Sequence, residues 1–264
     1  MSKPSCAEAI VNALENEGVE HVFIGPPGEH VVELYDALIG SKKIEGILAT
    51  NEYTLSFMAD GYSRATSRVG VFTIVPGPGV TNALTGIAEA YTDSTPLVGI
   101  ISDVRSMIEE SFQLHQIPNL EVLAPVTKKT YRISDPAQVF ETVANAFETA
   151  RSGEPGPVLI EIPCDLYALP CPGTAVESRR AAPQAAPQID EVVNLVRNSK
   201  QVGLYVGRGC SAYANEVMEL VERLQAPVAS SVTGRGILAD DHPLSVGFGF
   251  GSNGSKIARQ VFND

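Results

Sequence analysis

Residues 69–75, Val-Gly-Val-Phe-Thr-Ile-Val, form an almost unbroken apolar run that ends abruptly at Pro76-Gly77-Pro78-Gly79. Such a run is short for a helix and lacks the in-out alternation of a strand with one wet face. It reads as a strand covered on both sides, the habit of parallel sheets. Parallel neighbours need crossover connections, so the flanking chain must supply helices as well as further strands. It does. Residues 5–17 put Ala9, Ile10, Ala13 and Leu14 on one helical face, with Gly18 as the stop. Val22, Phe23 and Ile24 form a short strand ending at Gly25-Pro26-Pro27-Gly28, residues 31–38 return to helical periodicity, and residues 44–49 lead as a strand to Asn51 and Glu52.

The alternation continues. Residues 55–65 read as a helix whose Ala59, Gly61 and Ala65 permit close approach of another backbone. Val80, Thr81 and Asn82 open the helix after the run at 69–75, residues 96–102 are a strand, residues 136–151 a helix and residues 157–162 a last strand. The expectation is a doubly wound α/β domain with a mainly parallel sheet over residues 1–168. Residues 169–188, with Pro170, Pro172, Pro183 and Pro187, read as a Pro/Ala-rich linker. A second α/β pattern fills residues 189–264: a helix from Asp190, a strand over 202–206, a turn at Gly207-Arg208-Gly209, a helix over 212–224, a strand over 228–232 and a helix over 256–262. So few strand-helix units fall short of a typical α/β domain of roughly 100 residues or more, so this domain is expected to be incomplete.

Composition removes several function classes. The 264 residues, 44% hydrophobic and 19% charged, suit a globular chain with a real core. A net charge of -12 and a pI near 4.8 argue against a nucleic-acid partner, which is gripped by clustered Lys and Arg. No signal-peptide pattern and no membrane-length apolar segment are present, so a cytoplasmic protein is expected. Cys6, Cys164, Cys171 and Cys210, like His21, His30, His115 and His242, lack metal-site spacing, and no metal site is expected from this chain alone.

Ligands of doubly wound sheets sit beyond the C-terminal ends of the strands. Gly25 to Glu29, Asn51-Glu52, Pro76 to Gly79 and the chain from Ser102 onward all lie at such ends and should converge on one rim. Taken alone, each signal has a plainer explanation. A glutamate after an Asn cap favours the positive end of a helix, and Gly or Pro after a strand usually marks a tight turn. Neither Gly-rich loop has the pattern of a nucleotide P-loop or of a dinucleotide fingerprint, which disfavours an NTPase or a Rossmann dehydrogenase. Arg208 reads as part of a plain turn.

Taken together the motifs are specific. Asn51-Glu52 with residues 58–65 (Met-Ala-Asp-Gly-Tyr-Ser-Arg-Ala), residues 76–82 (Pro-Gly-Pro-Gly-Val-Thr-Asn), residues 86–91 (Gly-Ile-Ala-Glu-Ala-Tyr), Asp93-Ser94-Thr95-Pro96-Leu97, Phe112-Gln113, Pro125-Val126-Thr127-Lys128 and Gly156-Pro157-Val158 resemble the acetolactate synthase branch of the thiamine diphosphate enzymes. The resemblance covers the first domain, that family's pyrimidine-binding domain. It continues into the central domain at Thr233-Gly234-Arg235-Gly236 and Asp241-His242-Pro243-Leu244.

The resemblance implies that Glu52 hydrogen-bonds a pyrimidine ring nitrogen of thiamine diphosphate and promotes the imino tautomer that removes the thiazolium proton. The activated carbon then attacks a small 2-oxo acid, CO2 departs, and the product carbanion is protonated or adds to a second carbonyl. Pro26, Gly28, Pro76, Gly77 and Asn82 would border the cofactor, and Phe112-Gln113 would face the substrate. Phe112 reads equally as a core residue and Gln113 as a solvated loop residue.

Three departures from the family pattern matter. Glu29 replaces a glycine of the synthases, and His115 falls near a catalytic histidine of simple decarboxylases, so a Glu29 and His115 pair could relay a proton and favour decarboxylation. An exposed acid and an unrelated loop histidine explain the two equally well. Glu154 stands where flavin-binding synthases commonly have arginine, so FAD is not expected. No Gly-Asp-Gly segment matches the domain that holds Mg2+ and the cofactor phosphates. A second subunit or further region is therefore expected to supply Mg2+ and the diphosphate site, as a hetero-oligomer, with the helix face over residues 55–65 able to join the interface. The competing expectation is a non-catalytic homologue that binds and regulates a complete enzyme.

Overall fold

The computed structural model describes residues 3–108, 112–174, 189–249 and 251–262. The chain forms two compact units, residues 1–182 and 183–264.

In the first unit six strands make one all-parallel sheet. They are β1 (His21–Ile24), β2 (Glu45–Leu48), β3 (Gly70–Ile74), β4 (Leu97–Asp103), β5 (Lys129–Arg132) and β6 (Pro157–Pro163), in the order β2-β1-β3-β4-β6-β5. Helices α1 (Cys6–Asn16), α2 (Val32–Gly40) and α6 (Val139–Arg151) cover one face, and α3 (Glu52–Thr66), α4 (Pro78–Thr92) and α5 (Asn119–Leu123) the other. Strand pleating explains why two cores exist. Val22, Val71, Val98, Ile100, Val158 and Ile160 point into the first, whereas Phe23, Phe72, Ile74, Ile101 and Leu159 point into the second.

Local chemistry sets the helix ends. Ser5 caps α1 in a reciprocal box with Glu8, Ser5 Oγ accepting from the Glu8 N–H at 3.2 Å and Ser5 N donating to Glu8 Oε2 at 2.7 Å. Ile10 and Leu14 of that helix are fully buried, each worth roughly 1.5–3 kcal/mol of transfer free energy.

Three details differ from the sequence expectation. The edge strand β5, Lys-Thr-Tyr-Arg, escaped notice because an edge strand need not be apolar, and the chain reaches it before returning inward to β6. The other edge, β2, leaves Leu48 58% exposed. On α3 the close approach falls at Ser56 and Ala59: a Cβ on Gly86 of α4 would stand 2.3 Å from Ser56 Oγ, and one on Gly70 of β3 would stand 2.2 Å from the Ala59 carbonyl. Leu55 and Ala59 are thus used inside the domain, while a Cβ on Gly61 would meet nothing within 4 Å and Ala65 is exposed.

The expected linker begins against the first unit. Ser5 and Pro170 form an antiparallel bridge, Cys6 N donates to the Leu169 carbonyl at 2.8 Å, and Cys171 is buried. Residues 175–188, with Pro183 and Pro187, lie outside the described residues. The second unit contains α7 (Ile189–Asn198), β7 (Leu204–Val206), a 3-10 helix at Arg208–Tyr213 in place of a plain turn, α8 (Ala214–Leu224), β8 (Val228–Ser230), β9 (Ser245–Phe248) and α9 (Lys256–Phe262). Its three strands are parallel in the order β7-β8-β9, around a small core of Val206, Val221, Val228, Ile237 and Leu238. No helix among the described residues is long and apolar enough to cross a membrane.

Candidate active site

The strand order reverses between β1 and β3, so the loops leaving their C-terminal ends diverge and open a crevice. The β1 loop is tied down first. Gly25 N donates to the Thr73 carbonyl of β3 at 3.2 Å, and the Tyr35 phenol of α2 donates to the Gly25 carbonyl at 3.1 Å. Burial raises the pKa of that phenol well above the usual tyrosine range; the bond to Gly25 opposes this and the charge of Glu52 adds to it.

The β2 loop delivers the carboxylate. Asn51, extended at φ −154°, accepts from the Tyr53 N–H at 2.8 Å and caps α3, so Glu52 is the first helical residue. A first-turn acid favoured only by the helix dipole would sit in water, yet Glu52 is 7% exposed. Asn82 Nδ2 of α4 donates to its Oε2 at 3.2 Å. Among the described residues no lysine, arginine or histidine pairs with it.

Two glycines bring bare backbone close to this side chain. A Cβ on Gly25 would lie 3.4 Å from Glu52 Cγ, and one on Gly79 would lie 3.6 Å from Glu52 Oε1 and 2.8 Å from Val75 Cγ2. Pro26 and Gly28 are half-buried on the β1 loop, while Pro76 and Gly77 are buried on the β3 turn. Gly77 has φ +62°, and a Cβ there would stand 2.5 Å from the His115 carbonyl, so the β3 turn and the loop after β4 meet backbone to backbone. Pro78 then starts α4, two residues before the expected opening at Val80.

A second group lies on the same rim. Glu29 is exposed, and its Oε1 lies 3.7 Å from Nε2 of His30. His30, which carried no site signal in the sequence, is only 4% exposed, and its ring centroid is 5.8 Å from that of His115. The histidine next in sequence thus joins the acid to the loop histidine. Burial lowers the pKa of His30 below the ordinary histidine range, with His115 and Arg105 pushing the same way against Glu29 and Asp103. His115 holds φ +68°, and its Nδ1 is buried without a hydrogen-bond partner. Glu29, His30, Arg105, Ile108, Gln113 and Leu114 enclose a cavity of about 100 Å³.

The side chain of Gln113 is occupied by its own loop. Its Nε2 donates to the Arg105 carbonyl at 2.8 Å and its Oε1 accepts from the Arg105 N–H at 3.1 Å. Phe112 is 96% exposed at φ +64°, which overturns the core alternative. Glu154 sits at the opposite end of the sheet, before β6, where Ser94 donates to its carboxylate.

A buried polar cluster had no sequence signature. Asn119 at the start of α5 donates to Asp103 Oδ1 at 3.1 Å and to Glu161 Oε1 at 3.0 Å, and accepts from the Gly77 N–H at 3.0 Å. Arg132 Nη1 donates to Asp103 Oδ2 at 2.9 Å and to Glu161 Oε2. These residues come from separate elements, so no spacing along the chain announces them. Among the described residues no group of three or more His, Cys, Asp or Glu could hold a metal ion.

The arrangement suits proton exchange with a flat heterocycle. Glu52 offers one water-poor carboxylate oriented by a single amide, beside backbone stripped of side chains.

Comparison with known proteins agrees. Residues 4–122 match the thiamine pyrophosphate enzyme, N-terminal TPP binding domain, and residues 189–264 match the thiamine pyrophosphate enzyme, central domain. A protein of Methanocaldococcus jannaschii named probable acetolactate synthase large subunit is 34% identical over 269 residues, covering 98% of this chain and 45% of the relative. Acetolactate synthase 1, chloroplastic, of Oryza sativa subsp. japonica is 38% identical over 250 residues, covering 91% of this chain and 38% of the relative. The acetolactate synthase large subunit of Haemophilus influenzae is 37% identical over 247 residues, covering 89% and 43%. The chain spans less than half the length of these relatives. With a parallel sheet of the pyrimidine-binding type and two family domains matched in order, the chain belongs to the thiamine pyrophosphate enzyme family.

Proposed function

We propose that this chain supplies the pyrimidine-binding half of an acetolactate synthase-like enzyme acting on small 2-oxo acids, with Glu52 as the cofactor-activating carboxylate. One observation carries the reading: a glutamate at a helix start is buried, lacks a cationic partner among the described residues, and lies close to two glycines of the neighbouring strand-end loops. The residues present fit a flat ring. Pro26, Gly28, Pro76 and Gly77 border it, and Asn82 fixes the direction of the Glu52 carboxylate by donating to Oε2.

Thiamine diphosphate, when bound, supplies a nucleophilic thiazolium carbon that adds to the 2-oxo acid carbonyl and accepts the electrons left when CO2 departs. Glu52 would hold the proton shared with a pyrimidine ring nitrogen. Tyr35 and Gly25 hold the β1 loop against it. On this reading Mg2+ and the cofactor phosphates would be held by a partner subunit or a further region. A cytoplasmic hetero-oligomer accommodates this division.

The test is Glu52→Gln, assayed with the diphosphate-binding partner recovered by co-purification. Thiamine diphosphate- and Mg2+-dependent CO2 release from pyruvate should fall by about 10²–10⁴-fold with assembly intact. Unchanged turnover would remove the catalytic reading. Inactivity of both wild type and variant with an intact complex would instead support a non-catalytic, regulatory homologue.

A second reading draws support from the Glu29, His30 and His115 group. Three titratable side chains within reach of one another could protonate the product carbanion, favouring simple decarboxylation. Predominantly aldehyde product supports it, and predominantly acyloin excludes it.

A further inference from the structure

We propose that Asn119 is a positioning residue: its amide, oriented by Asp103 and Glu161, holds the turn after β3 against the loop that carries His115, and, on the reading above, thereby shapes the cofactor cradle beside Glu52.

An asparagine side chain has one acceptor oxygen and two N–H donors, and here all are used. Oδ1 takes the Gly77 N–H at 3.0 Å, while Nδ2 gives one hydrogen to Asp103 at 3.1 Å and the other to Glu161 at 3.0 Å. Asn119 is 1% exposed, so water cannot substitute for a lost partner. The two carboxylates set the polarity of the amide. A flipped amide would turn its oxygen toward two acceptors and its N–H groups toward the Gly77 donor. Arg132 keeps the acidic pair together by donating to both.

Gly77 is where this polarity takes effect. It occupies a left-handed conformation and lies directly against the His115 carbonyl, so its N–H anchors two loops at once. Two residues on, the backbone of Gly79 borders Glu52 Oε1. A shift of the Gly77 turn would be felt at the carboxylate. Asn119 acts through Gly77.

Hydrogen-deuterium exchange of the full chain tests this without any ligand. In Asn119→Ala, exchange over residues 75–82 and 113–118 should rise at least tenfold relative to α1, whose exchange should stay at the wild-type rate. Arg132→Met, at a half-exposed position, should raise the same segments at least threefold while folding normally. If Asn119→Ala does not fold, Arg132→Met decides alone. Unchanged protection of the two loops in a folded variant would overturn the proposal. With the co-purified partner, Asn119→Ala should also raise the thiamine diphosphate concentration needed for half-maximal CO2 release about tenfold, with turnover at saturation within threefold of wild type. Loops that loosen as expected beside a wild type that never releases CO2 would leave Asn119 as the anchor of the turn and remove the thiamine reading.

Discussion

The two ends of the six-stranded sheet treat charge in opposite ways. At the N-terminal end, acids are closed off by cations: Arg64 bridges Asp60 and Asp93, Arg68 pairs with Glu20, and Arg151 pairs with Glu17. Lys128 there donates to the Thr149 and Ser152 carbonyls at the end of α6. At the C-terminal end Glu52 is buried and takes a hydrogen bond from the Asn82 amide, and His30 lies buried and His115 half-buried on the same rim. The same layers and the same backbone serve both ends. Partners, rather than burial, separate a carboxylate that braces the fold from one left available for chemistry.

The Asn119 cluster refines that contrast, because it is a closed network at the open end. Asp103 and Glu161 are as buried as Glu52, yet both are tied to Arg132 and Asn119. Closure is therefore a property of each site and not of a whole end of the sheet.

The largest effect should come from adding a methyl group at each end. Gly70→Ala drives a Cβ into the Ala59 carbonyl, with a backbone atom 2.2 Å away that cannot swing aside, and about 3 kcal/mol or more of stability should be lost in urea unfolding. Gly77→Ala meets the His115 carbonyl at 2.5 Å and adds the strain of φ +62°, so it should lose about 1–3 kcal/mol. The difference lies in what else moves. Gly70→Ala should spare the C-terminal loops in hydrogen exchange, and Gly77→Ala should loosen them. Equal loosening by both would dissolve the distinction between the two ends.

The distinction was only partly visible in the sequence. The apolar runs at β1, β3, β4 and β6 announced a covered parallel sheet because both faces of those strands are apolar. The edge strand β5 carries Lys129, Thr130, Tyr131 and Arg132, a pattern indistinguishable from a polar loop. Glu52, Gly25, Gly77 and Gly79 could be nominated because local motifs mark them at strand ends. His30 and Asn119 could not, since their significance lies in partners set apart along the chain, His115 85 positions from His30, and Gly77, Glu161 and Asp103 42, 42 and 16 positions from Asn119, brought near by strand order. The hydrogen bonds of Gln113 to the backbone of its own loop likewise had no motif to mark them.

Removing a cation from the closed end ranks next. Arg64→Met leaves Asp60, which is buried, without its charge partner, and should lower stability by about 1–3 kcal/mol, between the values of exposed and fully buried pairs. A loss below about 0.5 kcal/mol would show that these pairs are ordinary surface contacts.

The closed network at the open end gives a smaller, pH-dependent effect. Burial raises the pKa of Glu161 above the usual carboxylate range and Asp103 adds to this, while Asn119 and Arg132 oppose it. The folded chain therefore holds that proton more tightly than the unfolded chain. The stability contributed by this group is fully present below the ordinary glutamate pKa and is lost as pH rises through its elevated value. Glu161→Gln abolishes the term, so the variant should gain stability relative to wild type as pH rises from about 4. Urea titrations at several pH values check the slope, and a difference that falls with pH would reverse the assignment.

The smallest stability effect is expected at the residue whose loss should matter most for turnover. Glu52→Gln keeps the size of the side chain and an oxygen for Asn82 to bond. It gives up the attraction between a carboxylate and the start of α3, worth about 0.3–1 kcal/mol, and relieves the desolvation of an anion that has no cationic partner among the described residues. The two terms oppose each other, so unfolding free energy should change by less than about 1 kcal/mol in either direction. On the proposed reading, an acid held in place for chemistry rather than stability should behave this way. A loss above about 2 kcal/mol would instead class Glu52 with the acids of the closed end, as part of the bracing of the fold.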